Sequence, residues 1–282
     1  MAASVEHVQG RPAPALRRWV GGYTGYRERG LAPALHRGLP SPCLTLIVTL
    51  DEPVVIAAHP DPGQAPSRHR VLLGGLHTAP ALVAHAGSQD GVQVALHPLG
   101  ARALLGLPAG ELAGLDLEAA EVVGPVADEL HERVAAAGTW QERFAALDDV
   151  LLRVADPDAQ VPPEVARAWH RLVASGGQVR AAQLAEETGW SGRHLAERFG
   201  VEVGLAPKAA ARVARFDRAR RLLAAGGARS LADVAADCGY ADQAHLAREF
   251  NALAGCPPSR WRAEELRNVQ AAPSPAPAGS RA

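Results

Sequence analysis

The chain has little cysteine, a single lysine and no long apolar run. Of its 282 residues only Cys43, Cys238 and Cys256 are cysteines, and they form no Cys-x-x-Cys pair. Three scattered cysteines exclude a disulfide framework and a zinc site of the usual spacing. No stretch approaches 18 apolar residues, and the first residues lack the apolar segment of a secretion signal. We therefore expect no membrane segment and a reducing, cytoplasmic location.

Sequence motifs of catalysis are also missing. The chain contains no nucleophile elbow, phosphate-binding loop or dinucleotide fingerprint. Its N-terminal half is rich in histidine but has no His-x-His pair with a following Glu, whereas a metal enzyme needs several such ligands at one point. We expect no catalytic residue, no metal and no cofactor. The alternative is an enzyme whose N-terminal barrel carries out metal-dependent chemistry and whose C-terminal half only directs it to its place of action. We expect solvent-exposed or locally capping roles for His59, His69, His77, His85 and His97.

Charge is divided unevenly along the chain, although the formal net charge is only −1. Residues 164–267 hold 16 Lys and Arg against 12 Asp and Glu, a balance of +4, and the remaining residues hold 13 against 18. A basic C-terminal half beside an acidic N-terminal half fits nucleic-acid binding at one end of the molecule.

The N-terminal half has the pattern of short strands followed by helices. Clusters of Gly, Pro and Asp separate apolar segments at 44–50, 54–58, 71–76, 81–85 and 92–96. Strands at this spacing predict a small barrel or sandwich. Beyond residue 100 the apolar period becomes helical, and it predicts helices at 101–107, 125–137 and 140–154.

A duplication dominates the C-terminal half. In each copy a short helical segment ends at Gly followed by an aromatic residue, and the next segment ends with Phe, then Gly five residues later and Pro eight residues later. Each copy therefore predicts a helix, a tight turn and a second helix, the unit that places a helix in the major groove of DNA. The first copy has Gly189, Trp190, Phe199, Gly204 and Pro207, and the second has Gly239, Tyr240, Phe250, Gly255 and Pro258.

The second helix of each copy has an apolar inner face. Leu195 and Phe199 form this stripe in the first copy, and Ser191 is the predicted N-cap. The second copy has one more residue before its stripe. Ala241 stands where the first copy has Ser191, which makes Asp242 the candidate cap.

The two copies are joined by a strongly helical segment, residues 207–223. It begins with Pro, which suits a first helical turn, and is rich in Ala and Arg. Seventeen residues span roughly 25 Å in an α-helix, and one turn of B-DNA is about 34 Å. A stiff connector of this length can present two helices to successive major grooves on one side of a duplex.

A long motif lies at the second turn. The segment from Gly239 to Phe250 reads Gly-Tyr-Ala-Asp-Gln-Ala-His-Leu-Ala-Arg-Glu-Phe, and Gly-Cys-Pro-Pro follows at 255–258. This motif resembles the most specific signature of the AraC/XylS family of bacterial transcription regulators, whose DNA-binding domain is two helix-turn-helix units joined by a long helix. The resemblance covers about residues 164–266. The preceding residues are similar to the sensor half of such regulators only in position and general character.

The resemblance implies a sequence-specific DNA-binding transcription regulator that is not an enzyme. Gln243 and Arg248 match positions that contact bases in the family, and Arg193 is the candidate in the first unit. Glu197 stands where the family often has a basic residue. It either repels nearby phosphates or accepts a hydrogen bond from a cytosine amino group. The full set of candidate DNA-contacting residues is Arg193, His194, Glu197, Gln243, Ala244, His245 and Arg248.

Two roles remain open for further polar residues. His194 and His245 recur at the same point of the two copies, where they either reach phosphate or cap local structure. Gln93 lies among strand apolar residues, on the opposite side from Val92 and Val94. It either contacts an effector in the mouth of the sensor domain or is a hydrogen-bonded structural residue.

These patterns predict an α+β chain. We expect a small β-barrel or sandwich-like sensor or dimerisation domain with helices at 1–155, a linker at 156–163, an all-α double helix-turn-helix domain at 164–267 and a disordered tail at 268–282. The expected partner is double-stranded promoter or operator DNA, and RNA polymerase, a small-molecule effector and a second copy of the chain are further candidates. In the remaining alternative, the N-terminal domain binds no ligand and only pairs subunits.

Overall fold

Ten short strands form two antiparallel sheets in the computed structural model, which describes residues 3–225 and 229–265. The larger sheet has the order β1-β2-β9-β4-β7-β10, and the smaller has the order β3-β8-β5-β6. Neither sheet closes on itself, so the N-terminal half is a sandwich. The strands are β1 (Ser4–Gly10), β2 (Val20–Arg29), β3 (Ala34–Gly38), β4 (Leu44–Thr49), β5 (Val54–Ala58), β6 (Ser67–His69), β7 (Val71–Gly74), β8 (Ala81–His85), β9 (Gln89–Leu96) and β10 (Asp116–Glu118).

The larger sheet has two different faces. On β9, Val92 and Val94 are buried in the main hydrophobic core, which the sheet shares with the helices. Gln93 points the other way, toward the smaller sheet, as the period of a strand requires. The space between the sheets has its own small apolar cluster, made by Tyr26, Ile47, Val54, Ile56, Leu72 and Val83.

The described part of the N-terminal half also contains four α-helices, of which the first precedes β10 and the others follow it: α1 (Ala101–Leu105), α2 (Ala120–Val123), α3 (Pro125–Ala136) and α4 (Trp140–Val154). Thr139 caps α4 in a capping box with Glu142, whose backbone N–H lies 3.2 Å from the threonine hydroxyl. The ring of Phe144 on α4 stacks on Tyr23 of β2 at 5.6 Å between centroids. The predicted helices are therefore present, and they cover the outer face of the larger sheet.

The C-terminal half is entirely helical within the described residues. Its helices are α5 (Pro163–Ala174), α6 (Ala181–Thr188), α7 (Gly192–Val203), α8 (Pro207–Ala224), α9 (Leu231–Asp237), α10 (Gln243–Ala254) and α11 (Pro258–Glu265). None of the described helices is long and apolar enough to cross a bilayer. The predicted disordered tail, 268–282, lies outside the described residues.

The hydrophobic core runs without a break from the sandwich into the first helix-turn-helix unit. Leu147 of α4, Trp169 of α5, and Leu195 and Phe199 of α7 belong to the same cluster. The second unit has a separate core around Phe250, to which the N-terminal half contributes Leu39. The two units therefore differ in how they are joined to the rest of the molecule.

The expectation of exposed or capping histidines is wrong for His59 and His69, which are 7 % and 5 % exposed. The Ser67 hydroxyl lies 3.0 Å from Nε2 of His59 and 2.6 Å from Nε2 of His69. Nδ1 of His59 lies 3.0 Å from a carboxylate oxygen of Asp116. This chain of hydrogen bonds joins edge strand β6 to edge strand β10, and it gives partners to both ring nitrogens of His59 and to Nε2 of His69.

Candidate nucleic-acid interface and sensor cavity

The two helix-turn-helix units have the same turn. Gly189 and Gly239 lie at φ of 72° and 75°, a left-handed conformation that glycine adopts without strain. The next residue folds back in each unit: the N–H of Trp190 donates to the carbonyl of Ala185, and that of Tyr240 donates to the carbonyl of Ala235. The sequence duplication is therefore a duplication of structure.

The caps align α7 with α10. The Ser191 hydroxyl accepts the N–H of His194 at 3.2 Å, and the Asp242 carboxylate accepts the N–H of His245 at 2.6 Å. The extra residue of the second copy, Ala241, lies in the turn before the cap. The expected cap role of Asp242 is confirmed.

With the caps superposed, each position of α7 has a partner 51 residues later on α10. Gly192 then matches Gln243, Arg193 matches Ala244, and Glu197 matches Arg248. The outward faces consequently carry different side chains at these three positions, whereas Ala196 matches Ala247 and His194 matches His245.

The outward faces of both helices are open to solvent. Arg193 and Glu197 on α7, and Gln243, Ala244 and Arg248 on α10, are all exposed. The inward stripes are completely covered, with Phe199 and Phe250 at 0 % exposure. Across the part of the chain that the structure describes, the side chains of Arg193, Glu197 and Arg248 make no ion pair.

The two recurring histidines have local partners. The ring of His194 lies edge-on to Trp190 at 4.5 Å, and that of His245 lies edge-on to Tyr240 at 5.4 Å. Nδ1 of His245 also accepts the N–H of Ala241 at 3.2 Å. Both histidines thus stabilise the turn, and His194 remains exposed while His245 is half-buried.

The connector α8 holds both units. Its Arg212 makes two hydrogen bonds, of 2.7 and 3.2 Å, to the carboxylate of Glu249 on α10. Burial alone would raise the pKa of Glu249, but the hydrogen bonds and positive charge of Arg212 bring this pKa below its usual value. Toward the first unit, Arg215 donates to the carbonyl of Gly177 at 2.9 Å. The 18-residue helix is about 27 Å long and fixes the separation of the units.

Two cavities lie between the sheets. The larger, of about 490 Å³, is here named the Tyr26 cavity, and its wall includes Thr49, Val83 and Gln89. Nothing in the sequence pattern had singled it out. The smaller, of about 50 Å³, contains the predicted ligand residue and is named the Gln93 cavity.

The Gln93 cavity reaches the DNA-binding half. Its wall includes His77 and Asp116 from the sandwich and Arg220 from α8. Arg220 is itself buried and pairs with Asp217, one helical turn away, at 2.8 Å. Burial lowers the pKa of His77 below its ordinary value, although the negative charge of Asp116 opposes the shift. The cavity is thus bounded by both halves of the chain.

Comparison with known proteins covers both halves. Residues 184–264 match a helix-turn-helix domain family, and residues 9–118 match a domain of unknown function, DUF6597. No curated protein matches the chain.

The fold is similar to that of ToxT from Vibrio cholerae, with 12% identity, a TM-score of 0.51, and coverage of 85% of this chain and 97% of ToxT. An apo form of a ToxT variant is similar at 11% identity and TM-score 0.51, covering 93% and 97%. The DNA-binding domain of AdpA, solved with a target DNA, is 27% identical over 36% of this chain and 90% of that domain, with a TM-score of 0.34.

A sandwich followed by two helix-turn-helix units on one connector defines a DNA-binding transcription regulator. The expectation drawn from the motif at residues 239–258 is confirmed. The C-terminal half contains a helix-turn-helix domain of the AraC type, and the chain is a DNA-binding regulator of that type.

Proposed function

We propose that both recognition helices read one operator in double-stranded DNA, with α7 and α10 in successive major grooves. The observation that carries this proposal is the cap-aligned duplication on a single connector held by Arg212 and Arg215. The corresponding domain division is a sensor domain at 1–155, a linker at 156–163 and a DNA-binding domain at 164–267. We further propose that the regulator acts in the cytoplasm, without enzymatic activity, and that RNA polymerase and a second copy of the chain are its protein partners.

The proposed base-reading residues are the exposed polar residues of the two outward faces. Arg248 has the geometry to pair with guanine and Gln243 with adenine, and Arg193 has the guanine role on α7. Glu197 occupies the position that Arg248 has on α10. It either accepts from a cytosine amino group or lies beside phosphates and limits affinity. We favour the second role because a lone carboxylate on a DNA-facing helix more often lowers affinity, through repulsion by the phosphates, than it reads a base. Ala244 lies against base edges, and His194 and His245 support the turns and approach phosphate.

Replacing Arg248 with Ala is expected to weaken binding to the cognate operator by about 1–3 kcal/mol and to relax the preference at one base pair. Gln243→Ala should do the same at a neighbouring base pair. Titration of a fluorescent operator, together with selection from a randomised duplex pool, measures both effects. Arg153→Ala, on the exposed side of α4, is the matched control and should bind as the wild type does. Unchanged affinity and unchanged base preference in both variants would show that this face does not meet bases.

We also propose that a small-molecule effector binds between the two sheets. The Tyr26 cavity has a volume typical of ligand sites, with apolar walls and a few polar groups such as Thr49 and Gln89. The Gln93 cavity is large enough for a few water molecules only, and we assign it the polar end of the effector site. Because Arg220 of α8 shares its wall, occupancy there acts directly on the connector of the DNA-binding units.

An effector present at 100 times its dissociation constant is expected to stabilise the chain by about 2.7 kcal/mol. Thermal unfolding against a library of metabolites measures this gain. Val54→Phe, whose side chain lies between the sheets at the wall of the Tyr26 cavity, should fill this cavity and abolish the shift, and Gln93→Ala should reduce it. Leu152→Ala on the exposed side of α4 is the control and should retain the shift. If no compound stabilises the protein and Val54→Phe leaves regulation intact, the N-terminal half serves only to pair subunits.

A further inference from the structure

Each recognition helix is held by a two-pronged arginine–glutamate pair, but the two arginines come from different halves of the chain. On α10, Glu249 pairs with Arg212 of the connector at 2.7 and 3.2 Å. On α7, Glu202 pairs with Arg102 of α1 at 2.7 and 2.9 Å. The second recognition helix is therefore fixed within the DNA-binding half, whereas the first is fixed to the sensor half.

The duplication shows that Glu202 is specific to this contact. Aligned by its cap, Glu202 matches Leu253 on α10, which is 0 % exposed in the apolar core of the second unit. Glu202 is only 2 % exposed. A buried carboxylate is strongly unfavourable unless a cation pairs with it, and Arg102 supplies that cation with both prongs of its guanidinium. The hydrogen bond to Glu202 in turn raises the pKa of Arg102.

The backbones on the two sides of this pair pack too closely for α7 to slide along the sensor half. A Cβ on Gly110 would lie 2.5 Å from the carbonyl oxygen of Val201, in the last turn of α7. A Cβ on Gly204, which has φ of 88°, would lie 3.0 Å from the carbonyl oxygen of Ala109. The segment 109–112 thus meets the end of α7 backbone to backbone, at a distance that only glycine permits.

The arginine also lies close in sequence to the sensor cavities. Strand β9 carries Gln89 at the wall of the Tyr26 cavity and Gln93 at the wall of the Gln93 cavity. It ends at Leu96, and a 3-10 turn at Pro98–Gly100 leads directly into α1. Arg102 is the second residue of that helix. A displacement of β9 is therefore transmitted to Arg102 through a few residues of ordered backbone.

We propose that Arg102 is a positioning residue for the first recognition helix. Through Glu202, the sensor half sets the orientation of α7 and so the affinity for one half of the operator, whereas Arg212 of the connector sets the orientation of α10 and the affinity for the other half. This inference rests on the proposed reading of DNA by both helices.

The test uses the full chain and operator duplexes in which either half-site is randomised. Arg193→Ala and Arg248→Ala first identify which half-site each unit reads. Arg102→Ala is then expected to weaken operator binding between about 5- and 150-fold, the usual range of coupling between sites. It should remove base preference only in the half-site of the first unit. Arg212→Ala should remove base preference only in the half-site of the second unit. If Arg193→Ala and Arg248→Ala alter no base preference, the proposed reading of DNA fails, whatever the result for Arg102.

Rescue separates positioning from mere stability. The charge exchange of Arg102→Glu with Glu202→Arg should restore preference in the first half-site, because it rebuilds the pair. Should Arg102→Ala fail to fold, Arg102→Lys keeps the charge and loses the two-pronged contact, and it should show the same half-selective loss at smaller size. Equal loss in both half-sites, or unchanged binding by a folded Arg102→Ala chain, would overturn the proposal.

Discussion

Raising the salt concentration from 50 to 200 mM will weaken operator binding by the full chain on the order of 10³-fold or more. Two recognition helices, the turns before them and the connector together allow roughly 6–10 phosphate contacts, and each contact releases counterions that added salt opposes. The proposed DNA-contacting residues belong to the half of the chain with a charge balance of +4. The acidic half does not cancel this effect, because charges farther than about 10 Å are screened at 0.1 M salt.

Fluorescence anisotropy of a labelled operator at several KCl concentrations measures the dependence, as the slope of log K against log salt. A slope near −0.9 for every phosphate contact is expected. The matched control is Arg153→Ala, remote from both recognition helices, which should keep the wild-type slope. A slope shallower than about −3 would mean that the chain makes fewer phosphate contacts than two bound units would make. Only one unit would then bind the duplex at a time.

The DNA-binding half could be predicted from sequence because its signals are local. Gly189 and Gly239 mark left-handed turns, Ser191 and Asp242 cap the following helices, and the stripes repeat at helical spacing. Each of these features is decided by residues within one or two helical turns. The predicted connector, 207–223, ends one residue before the observed helix.

The sandwich was predicted only in part, because half of its strands depend on distant contacts. The five predicted strands are present, with the predicted ends at 54–58 and 81–85 and shifted ends in the other three, but β1, β2, β3, β6 and β10 were missed. Strand β2 has glycines that disfavour a strand by local propensity. Tertiary packing explains them: a Cβ on Gly25 would lie 2.5 Å from the ring of Trp140 on α4. Strands β6 and β10 have only three residues each, and the hydrogen bonds of Asp116 and Ser67 hold them.

The candidate site, too, was predicted where it depends on local sequence and missed where it depends on distant contacts. The outward faces of α7 and α10 follow from helical periodicity, so the sequence alone identifies the side chains that they carry. The pair of Arg102 with Glu202 joins residues 100 positions apart, and the Tyr26 cavity is bounded by strands from both sheets. No periodic pattern connects such residues, because their proximity is produced by packing of the halves.

Truncating Phe250 to Ala is expected to destabilise the second unit by about 3–5 kcal/mol, as removal of a buried aromatic ring does elsewhere. Phe250 is 0 % exposed, and its ring lies 4.8 Å from that of Phe216 and 5.6 Å from that of Trp261. Phe199 occupies the same position in α7, also at 0 % exposure, but it belongs to the core that continues into the sandwich. The two substitutions remove the same side chain from equivalent helices, and only the surrounding core differs.

Phe250→Ala should therefore open α9 to α11 while the sandwich and the first unit stay folded, whereas Phe199→Ala should lower the stability of the first unit and the sandwich together. Amide hydrogen exchange resolved by segment measures the difference, because it reports the free energy of opening of each region separately. Leu152→Ala is the control, since Leu152 is 41% exposed and its loss should change stability by no more than about 0.5 kcal/mol. Faster exchange throughout the chain in both variants would show that the second unit does not have an independent core. If only the second unit opens, the Phe250→Ala chain should still read the first half-site. Its affinity for the operator should be lowered by the loss of the contacts that α10 makes.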